Sequence, residues 1–317
     1  MMLFALNSSS SLGSRIADKL GCPLSPHEER EFSCGEHKSR PLVGVWGEDV
    51  YIVSSLHGDC NYSVNDKICR LLFFIGAMKD AGASQVTAVM PYFAYSRKDR
   101  RTKSNDPVTT HYVAAALESV GVDRVVTMDI HNVAAFENSF GCPSVNLPTV
   151  ELFAEYFHRT AGTEVDTIVS PDLGGLKSTR LFCDAYMKLA RKAIDLGVMD
   201  KKRSEGVVSG MGLIGEIGQH VLIVDDMIGS GSTMCRAASA CRGAGARSVM
   251  VGATHGLFEN RASMFFDHPG IDKIVVTDSV AIDNLGLSSE CLERIVILES
   301  ADLLAECIRE MQGRFMR

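Results

Sequence analysis

Short apolar runs rich in β-branched residues alternate with stretches of helical periodicity along most of the chain. The clearest runs are "DVYIVSS", "VTAVMPY", "RVVTMDI", "DTIVSP", "HVLIVDD", "SVMVGAT" and "KIVVTD". Continuous apolar strands separated by helices are typical of parallel sheets that are covered by helices on both faces. The pattern therefore predicts an α/β protein.

A similar joint connects helix to strand three times, in "DAGASQV" (80–86), "SVGVDRV" (119–125) and "GAGARSV" (243–249). The central glycine of each joint is suited to the left-handed conformation that ends a helix. Two joints fall in the first half and one in the second, which predicts two similar α/β domains. We place them at residues 1–147 and 148–297, with a C-terminal helix within 298–317 that packs back on the first domain.

Charge and hydropathy restrict the possible partners. The 317 residues carry a formal net charge of −7, with 46% hydrophobic and 22% charged residues. A nucleic-acid-binding protein usually presents a basic face, so the acidic balance argues against that class. The apolar runs are too short to span a bilayer, and the N-terminus "MMLFALNSSSSLG" lacks the basic start of a signal peptide. We expect no membrane partner and read this start as a first strand and turn.

The ten cysteines stand alone, without a CxxC pair. Cys69, Cys183 and Cys307 fall in amphipathic helical stretches, so we expect buried free thiols. Unpaired cysteines are typical of a reducing compartment, which favours a cytoplasmic location.

The sharpest chemical motif is "VLIVDDMIGSGSTM" (221–234), an apolar strand followed by two acids and a small-residue turn. Ligands bind beyond strand ends in open α/β sheets, and a Gly/Ser turn at a helix N-terminus suits an anion. Asp225 and Asp226 then suggest sugar hydroxyls or a metal as partners. The alternative is an ordinary strand–helix turn in which serine and threonine cap the helix.

Four further segments carry candidate chemistry: "VMPYFAYSRKDRRTKSNDPVT" (89–109), "VTMDIHNVAAF" (126–136), "IVSPDLGGLKSTR" (168–180) and "MDKKRSEG" (199–206). The first concentrates five cations in an acidic protein, which suggests a polyphosphate partner. Without further context it reads equally well as a solvated basic loop. A lone histidine is usually structural, and a basic turn such as "DKKR" is usually a surface feature.

Together with "EFSCGE" (31–36), these motifs resemble those of the ribose-phosphate pyrophosphokinase family, in its order and over about residues 1–312. The resemblance implies two phosphoribosyltransferase-like domains, each a mainly parallel sheet flanked by helices. It also implies a reaction in which the pyrophosphoryl group of Mg-ATP passes to the C1 hydroxyl of ribose 5-phosphate. The products are AMP and 5-phosphoribosyl 1-pyrophosphate (PRPP).

The resemblance also implies site residues, cofactor and assembly. It places Lys201 and Arg203 in a flexible catalytic loop, and Asp172 and His131 near Mg²⁺. It implies a homo-oligomer, a dimer or hexamer, in which a hairpin reaches the ATP site of a neighbouring subunit. The implied ATP contacts are Phe32, Glu36, Arg97 and Lys98. The implied ribose 5-phosphate contacts are Asp225, Asp226, Gly229, Ser230, Gly231, Ser232 and Thr233.

Two other functions fit parts of the sequence. A phosphoribosyltransferase would share the "VLIVDD" motif, but it needs a base-binding hood and no ATP segment. A non-catalytic regulatory homologue would share the whole architecture. Such a protein is free to lose the site residues, whereas Lys201, Arg203, His131 and Asp172 are present.

Overall fold

The computed structural model describes residues 1–161, 164–204, 207–259 and 262–315, with side chains for all of these except 161, 201–204, 207–211, 262, 263, 314 and 315. The strands of this part are β1 (Met2–Ala5), β2 (His27–Glu31), β3 (His37–Pro41), β4 (Asp49–Val53), β5 (Gln85–Met90), β6 (Arg124–Met128), β7 (Ser144–Leu147), β8 (Thr167–Ser170), β9 (Asp195–Ser204), β10 (Val207–Ile214), β11 (His220–Ile228), β12 (Ser248–Gly256), β13 (Lys273–Thr277) and β14 (Ile295–Leu298). The α-helices are α1 (Ser10–Leu20), α2 (Val64–Asp80), α3 (Thr109–Ser119), α4 (Val133–Ser139), α5 (Val150–Ala161), α6 (Leu176–Ala190), α7 (Ser232–Gly243), α8 (Ala262–Phe266), α9 (Ser289–Glu293) and α10 (Ala301–Phe315).

The chain divides into two compact units. Unit 1 comprises Met1–Leu147, Asp278–Gly286 and Glu299–Arg317, and unit 2 comprises Pro148–Thr277 and Leu287–Leu298. The excursion Asp278–Gly286 differs from the sequence-based boundary, which kept it in the second domain. Asp278 joins this excursion to unit 1 by accepting from Arg15 Nη2 at 2.8 Å. The carbonyl of Ser279 accepts a bond from the hydroxyl of Ser55, and that of Asn284 accepts one from the N–H of Cys60 at 3.0 Å.

Unit 1 is built on a five-stranded parallel sheet in the order β1-β4-β5-β6-β7. One core contains Phe74, Leu117 and Phe136 from α2, α3 and α4. A second core contains Ile16 from α1 and Leu304 from α10. The strands bury side chains on both faces, which is why their sequences read as continuous apolar runs. Strands β2 and β3 form a separate antiparallel hairpin.

Unit 2 is built on a seven-stranded sheet in the order β10-β9-β8-β11-β12-β13-β14. All its pairings are parallel except that between β9 and β10. Helices α5 and α6 pack on this sheet through Phe157 and Tyr186, and α7 buries Met234 and Cys241. The predicted α/β class, with parallel sheets flanked by helices, is confirmed.

The three predicted joints have the expected backbone. Gly82, Gly121 and Gly245 adopt φ of 85°, 94° and 107°, in the left-handed region that ends a helix before the next strand. Among the described residues, no helix combines the length and the apolar character needed to cross a bilayer.

The prediction of buried cysteines is correct for Cys183 and Cys307 and wrong for Cys69, which is exposed. Helix α2 buries Lys67, Arg70 and Leu71, together with later positions along one stripe. Cys69 lies between these positions and off the stripe, so amphipathic periodicity alone assigns it to the wrong face.

Candidate active site

Asp225 and Asp226 lie within β11, close to its C-terminal end. The strand continues to Ile228 because its parallel pairing with β12 extends that far. On the other side of β11, the pairing with β8 ends at Ile223. The two acids therefore lie just beyond the point where one neighbouring strand has ended, which is where open α/β sheets leave room for a ligand.

The electrostatics of this site disfavour a buried negative charge. Burial is the largest cause that raises the pKa of Asp225, and the nearby charges of Asp226 and Asp172 act in the same direction. The backbone N–H of Asp226 donates to Asp225 Oδ1 at 3.0 Å and opposes them in part, and the net result is a pKa of about 8. A carboxylate that is desolvated beside other carboxylates favours protonation or a bound cation. The site is thus suited to a divalent metal ion or to hydroxyl donors.

Asp172 approaches the same place from the turn between β8 and α6. Its Oδ1 accepts the backbone N–H of Gly175 at 2.9 Å. A Cβ built on Gly175 would lie 3.4 Å from Asp225 Oδ1 and 3.8 Å from Asp172 Oδ1, so both carboxylates face this glycine. The structure therefore brings Asp172 together with Asp225 in unit 2, whereas His131 belongs to unit 1.

A magnesium ion fits this donor set if it takes few ligands from the protein. Within the described part of the chain, no group of three or more His, Cys, Asp or Glu side chains could hold a metal ion. Mg²⁺ prefers oxygen ligands and commonly binds one or two carboxylates, with water and substrate phosphates completing its octahedron. The carboxylates around Gly175 match that chemistry.

The small-residue turn 229–233 places the start of α7 next to these acids. The helix begins at Ser232, and Gly231 occupies its N-cap position without a side-chain cap. The N–H groups of the first turn therefore lack the side-chain acceptor that would normally satisfy them. Together with the helix dipole, they form a ready site for an anion such as a sugar phosphate. The Ser230 hydroxyl bonds that of Ser232 at 3.2 Å.

Gly231 is the position of this turn that tolerates a side chain least. Its φ is 72°, and a Cβ built on it would lie 2.4 Å from Cγ of Phe265. Replacing Gly231 with alanine should lower the free energy of unfolding by about 1–3 kcal/mol from backbone strain alone. Chemical denaturation should show this loss, whereas Gly243→Ala, where an added Cβ meets nothing within 4 Å, should be neutral or stabilising. Equal stability of the two variants would contradict the account.

The cationic segment of unit 1 lies between β5 and α3, with its five basic side chains exposed. Among the described residues, none of the five forms an ion pair. A hydrogen bond ties the segment to the strand end that bears His131: Asn132 Nδ2 donates to Asp99 Oδ2 at 2.6 Å. The structure thus brings the cations and exposed His131 into one region. The five cations are Arg97, Lys98, Arg100, Arg101 and Lys103.

The segment "EFSCGE" forms the turn of the β2–β3 hairpin. The N–H of Phe32 donates to the carbonyl of Glu36 at 2.8 Å, and Gly35 has a φ of 88°. The Phe32 ring is 39% exposed and lies 5.3 Å from the Arg30 guanidinium carbon. An aromatic ring left partly exposed at a hairpin turn is available for stacking on a ligand or a partner.

The segment 199–206 differs from the predicted flexible loop. Its backbone up to Ser204 belongs to β9, where Lys201 pairs with Met211 and Arg203 with Val208 of antiparallel β10. The prediction of a loop is wrong, because a polar sequence does not show that its backbone bonds are satisfied by a partner strand. The side chains of Lys201 and Arg203 lie outside the described part of the chain.

The comparisons with known proteins cover nearly the whole chain. Residues 1–121 match the model of the N-terminal domain of ribose phosphate pyrophosphokinase, and residues 192–315 match that of the phosphoribosyl synthetase-associated domain. The chain is 37% identical over 316 residues to the ribose-phosphate pyrophosphokinase of Vibrio vulnificus, covering 99% of this chain and 96% of that protein. This chain belongs to the ribose-phosphate pyrophosphokinase family. The resemblance inferred from the sequence motifs is confirmed.

Other members of the ribose-phosphate pyrophosphokinase family agree with this assignment. The protein of Vibrio cholerae is 36% identical, over 99% of this chain and 96% of its own length. The crystal structure of phosphoribosylpyrophosphate synthetase from Mycobacterium smegmatis superposes with a TM-score of 0.87 at 26% identity, covering 99% of both chains. The fold therefore matches over both units.

The sequence motifs assign no role to Asp99, Asp106 or Asn132, although all three lie within the segments 89–109 and 126–136. The composition of the segment was the available signal, because two acids among five cations must each have a hydrogen-bond or ion-pair partner. Their partners could not be read from the sequence.

Proposed function

We propose that this chain transfers the pyrophosphoryl group of ATP to the C1 hydroxyl of ribose 5-phosphate, giving PRPP and AMP. The observation that carries the proposal is the pairing of Asp225 and Asp226 with the uncapped N-terminus of α7, in a chain of this family. The carboxylates accept hydrogen bonds from hydroxyl groups, and the N–H groups at the helix start donate hydrogen bonds to a phosphate. A sugar phosphate satisfies both at once.

The ribose 5-phosphate side of the reaction falls to unit 2. Asp225 and Asp226 bind the ribose hydroxyls, and the turn 229–233 binds the 5-phosphate through its backbone N–H groups and hydroxyls. Asp172, which faces Gly175 beside Asp225, would hold Mg²⁺ in unit 2, and the sequence motifs also assign His131 of unit 1 to Mg²⁺. When bound, the metal neutralises charge on the pyrophosphoryl group.

The ATP side falls to unit 1. Arg97 and Lys98 bind the nucleotide, where exposed and unpaired cations suit a polyanion. Phe32 stacks on adenine and Glu36 contacts the nucleotide of a neighbouring subunit, so the active form is a homo-oligomer. None of the ten cysteines of the chain forms a disulfide, which fits a reducing cytoplasm.

The chemistry needs positioning and charge stabilisation more than a strong base. The C1 oxygen forms a bond to the β-phosphorus as the bond from that phosphorus to the bridging oxygen of AMP breaks. The hydroxyl proton leaves to solvent. Lys201 and Arg203 stabilise the negative charge of the transferring group.

The direct test is AMP formation from ATP that depends on ribose 5-phosphate. We expect AMP and PRPP in equal amounts, and no AMP when ribose 5-phosphate or Mg²⁺ is omitted. A protein that binds both substrates without turnover would be the non-catalytic homologue. One that forms PRPP only from a nucleotide and pyrophosphate would be a phosphoribosyltransferase.

Shared sites predict complementation between inactive variants. Phe32→Ala removes the contact that one subunit makes with adenine in the site of its neighbour. Lys201→Ala removes a catalytic cation from the subunit's own site. Mixed after dissociation and reassembly, the two should recover up to roughly a quarter of wild-type turnover per site, as expected from random pairing of subunits. Each variant reassembled with itself is the control. Full activity of a strictly monomeric protein would contradict the shared site.

A further inference from the structure

We propose that Asn132 is a positioning residue for ATP, which holds the carboxylate of Asp99 away from the cations around it. The proposal rests on the function given above, since it assigns Arg97 and Lys98 to the nucleotide. It adds a residue that touches neither substrate and acts only through the segment it restrains.

Both polar ends of the Asn132 side chain are committed. Its Oδ1 accepts the backbone N–H of Ala135 at 3.1 Å and caps the N-terminus of α4. Its Nδ2 donates to Asp99 Oδ2 at 2.6 Å. The cap fixes the side chain on a helix end, so the amide offers a donor of defined direction to Asp99.

Asp99 lies between Lys98 and Arg100 and would otherwise be their nearest counter-ion. An arginine beside a carboxylate forms short, charge-assisted and often bidentate bonds. Such a pair within the segment would cancel part of the charge that a polyphosphate needs. The Asn132 amide binds Oδ2 of Asp99 instead, so this oxygen does not pair with the neighbouring cations, and their side chains stay accessible to a polyphosphate.

The second acid of the segment is held in the same manner. Asp106 accepts bonds from the Thr102 hydroxyl at 2.6 Å, the Thr102 N–H at 3.2 Å and the Lys103 N–H at 3.0 Å. The Thr102 hydroxyl bond is the main cause that lowers the pKa of Asp106. Both acids of the segment are thus hydrogen-bonded by uncharged donors, although the same segment carries five cations.

Asn132 also fixes the place of the segment. The segment start is anchored to α3, where the N–H of Thr110 donates to the carbonyl of Lys98 at 3.3 Å. The Asp99–Asn132 bond anchors its middle to the residue that follows His131. One amide therefore sets both the availability of the cations and their position relative to His131.

The test replaces Asn132 with aspartate, which caps helices as well as asparagine but cannot donate to Asp99. We expect the apparent KM for ATP to rise about tenfold or more, with kcat and the melting temperature changed little, because two facing carboxylates repel and release Asp99 toward the arginines. A role in capping alone predicts no change in KM. An unchanged KM for ATP in Asn132→Asp would overturn the proposal.

Exchanging the two side chains provides the rescue. Asp99→Asn/Asn132→Asp restores one donor and one acceptor in reversed order, and should return the KM for ATP to within about threefold of wild type. Asp99→Asn alone should also be mild, since the amide oxygen still accepts from Asn132.

The matched control is Asp106→Asn/Asn132→Asp, which has the same formal charge as the exchange but leaves carboxylates at positions 99 and 132 facing each other. It should retain the raised KM. Rescue by this control as well would show that only net charge matters, and would overturn the proposal. A wild-type protein that binds no ATP in calorimetry would instead contradict the proposed function itself.

Discussion

Replacing Asp225 with asparagine should reduce kcat/KM for ribose 5-phosphate at least a hundredfold, roughly the cost of losing one well-placed electrostatic contact. The substitution keeps the shape of the side chain and removes the charge that binds hydroxyl groups and supports Mg²⁺. The measurement is initial velocity against ribose 5-phosphate at saturating Mg-ATP. Turnover within about threefold of wild type would contradict the assignment of Asp225.

The same substitution should stabilise the protein at alkaline pH. Burial and neighbouring acids raise the pKa of Asp225 to about 8, so the folded state holds this proton more tightly than the unfolded state. The stability contributed by the protonated group is full below about pH 4, where unfolded aspartate also titrates, and is lost as the pH rises toward 8. Asp225→Asn removes that loss.

Melting temperatures across pH 4 to 9, without Mg²⁺, test this directly. The difference between Asp225→Asn and wild type should be near zero at pH 4 and reach a plateau above pH 8, worth on the order of a few kcal/mol. Asp184→Asn, an exposed acid on α6 of the same unit, is the control and should show no such trend. A gain independent of pH would contradict this electrostatic cause. Added Mg²⁺ should raise the melting temperature of the wild-type protein more than that of Asp225→Asn.

Replacing Lys201 with alanine should lower kcat by several orders of magnitude and leave the melting temperature unchanged. A cation that acts on the transferring group in the transition state affects kcat more than substrate binding. Lys202→Ala is the matched control, because it removes a neighbouring lysine from the same strand and should retain activity. Single-turnover measurements would separate the chemical step from product release.

Two outcomes would contradict this assignment. If Lys201→Ala keeps near-normal turnover, the catalytic cation is elsewhere and the match of this segment to the family is wrong. If Lys201→Ala and Lys202→Ala lose activity equally along with stability, the strand matters as structure. Both lysines lie in β9, which pairs with antiparallel β10, so a substitution could disturb this pair. The melting temperature of each variant is therefore measured together with its kinetics.

The core of both units could be predicted from the sequence because parallel strands bury both faces. "VLIVDD" reads as a strand in which four apolar residues precede two acids, and β11 contains all six. The uncapped start of α7 could also be predicted, since small residues after an apolar strand leave backbone donors open.

What escaped prediction depends on contacts between distant residues. Residues 199–204 form a strand because they pair with β10, and a run of polar residues does not predict such pairing. The bond between Asn132 and Asp99 joins residues 33 positions apart, and only the fold brings them together. Likewise, the return of Asp278–Gly286 to unit 1 depends on contacts of Asp278, Ser279 and Asn284 with residues that are distant in the sequence, such as Arg15 and Ser55.

The transfer of an intact pyrophosphoryl group is the central claim, and phosphorus NMR of the reaction tests it most directly. With ATP, Mg²⁺ and ribose 5-phosphate, the β- and γ-phosphorus signals of ATP should disappear together and reappear as the pyrophosphate of PRPP, with one AMP formed for each. Appearance of ADP with a singly phosphorylated C1, or no AMP dependent on ribose 5-phosphate, would contradict the account.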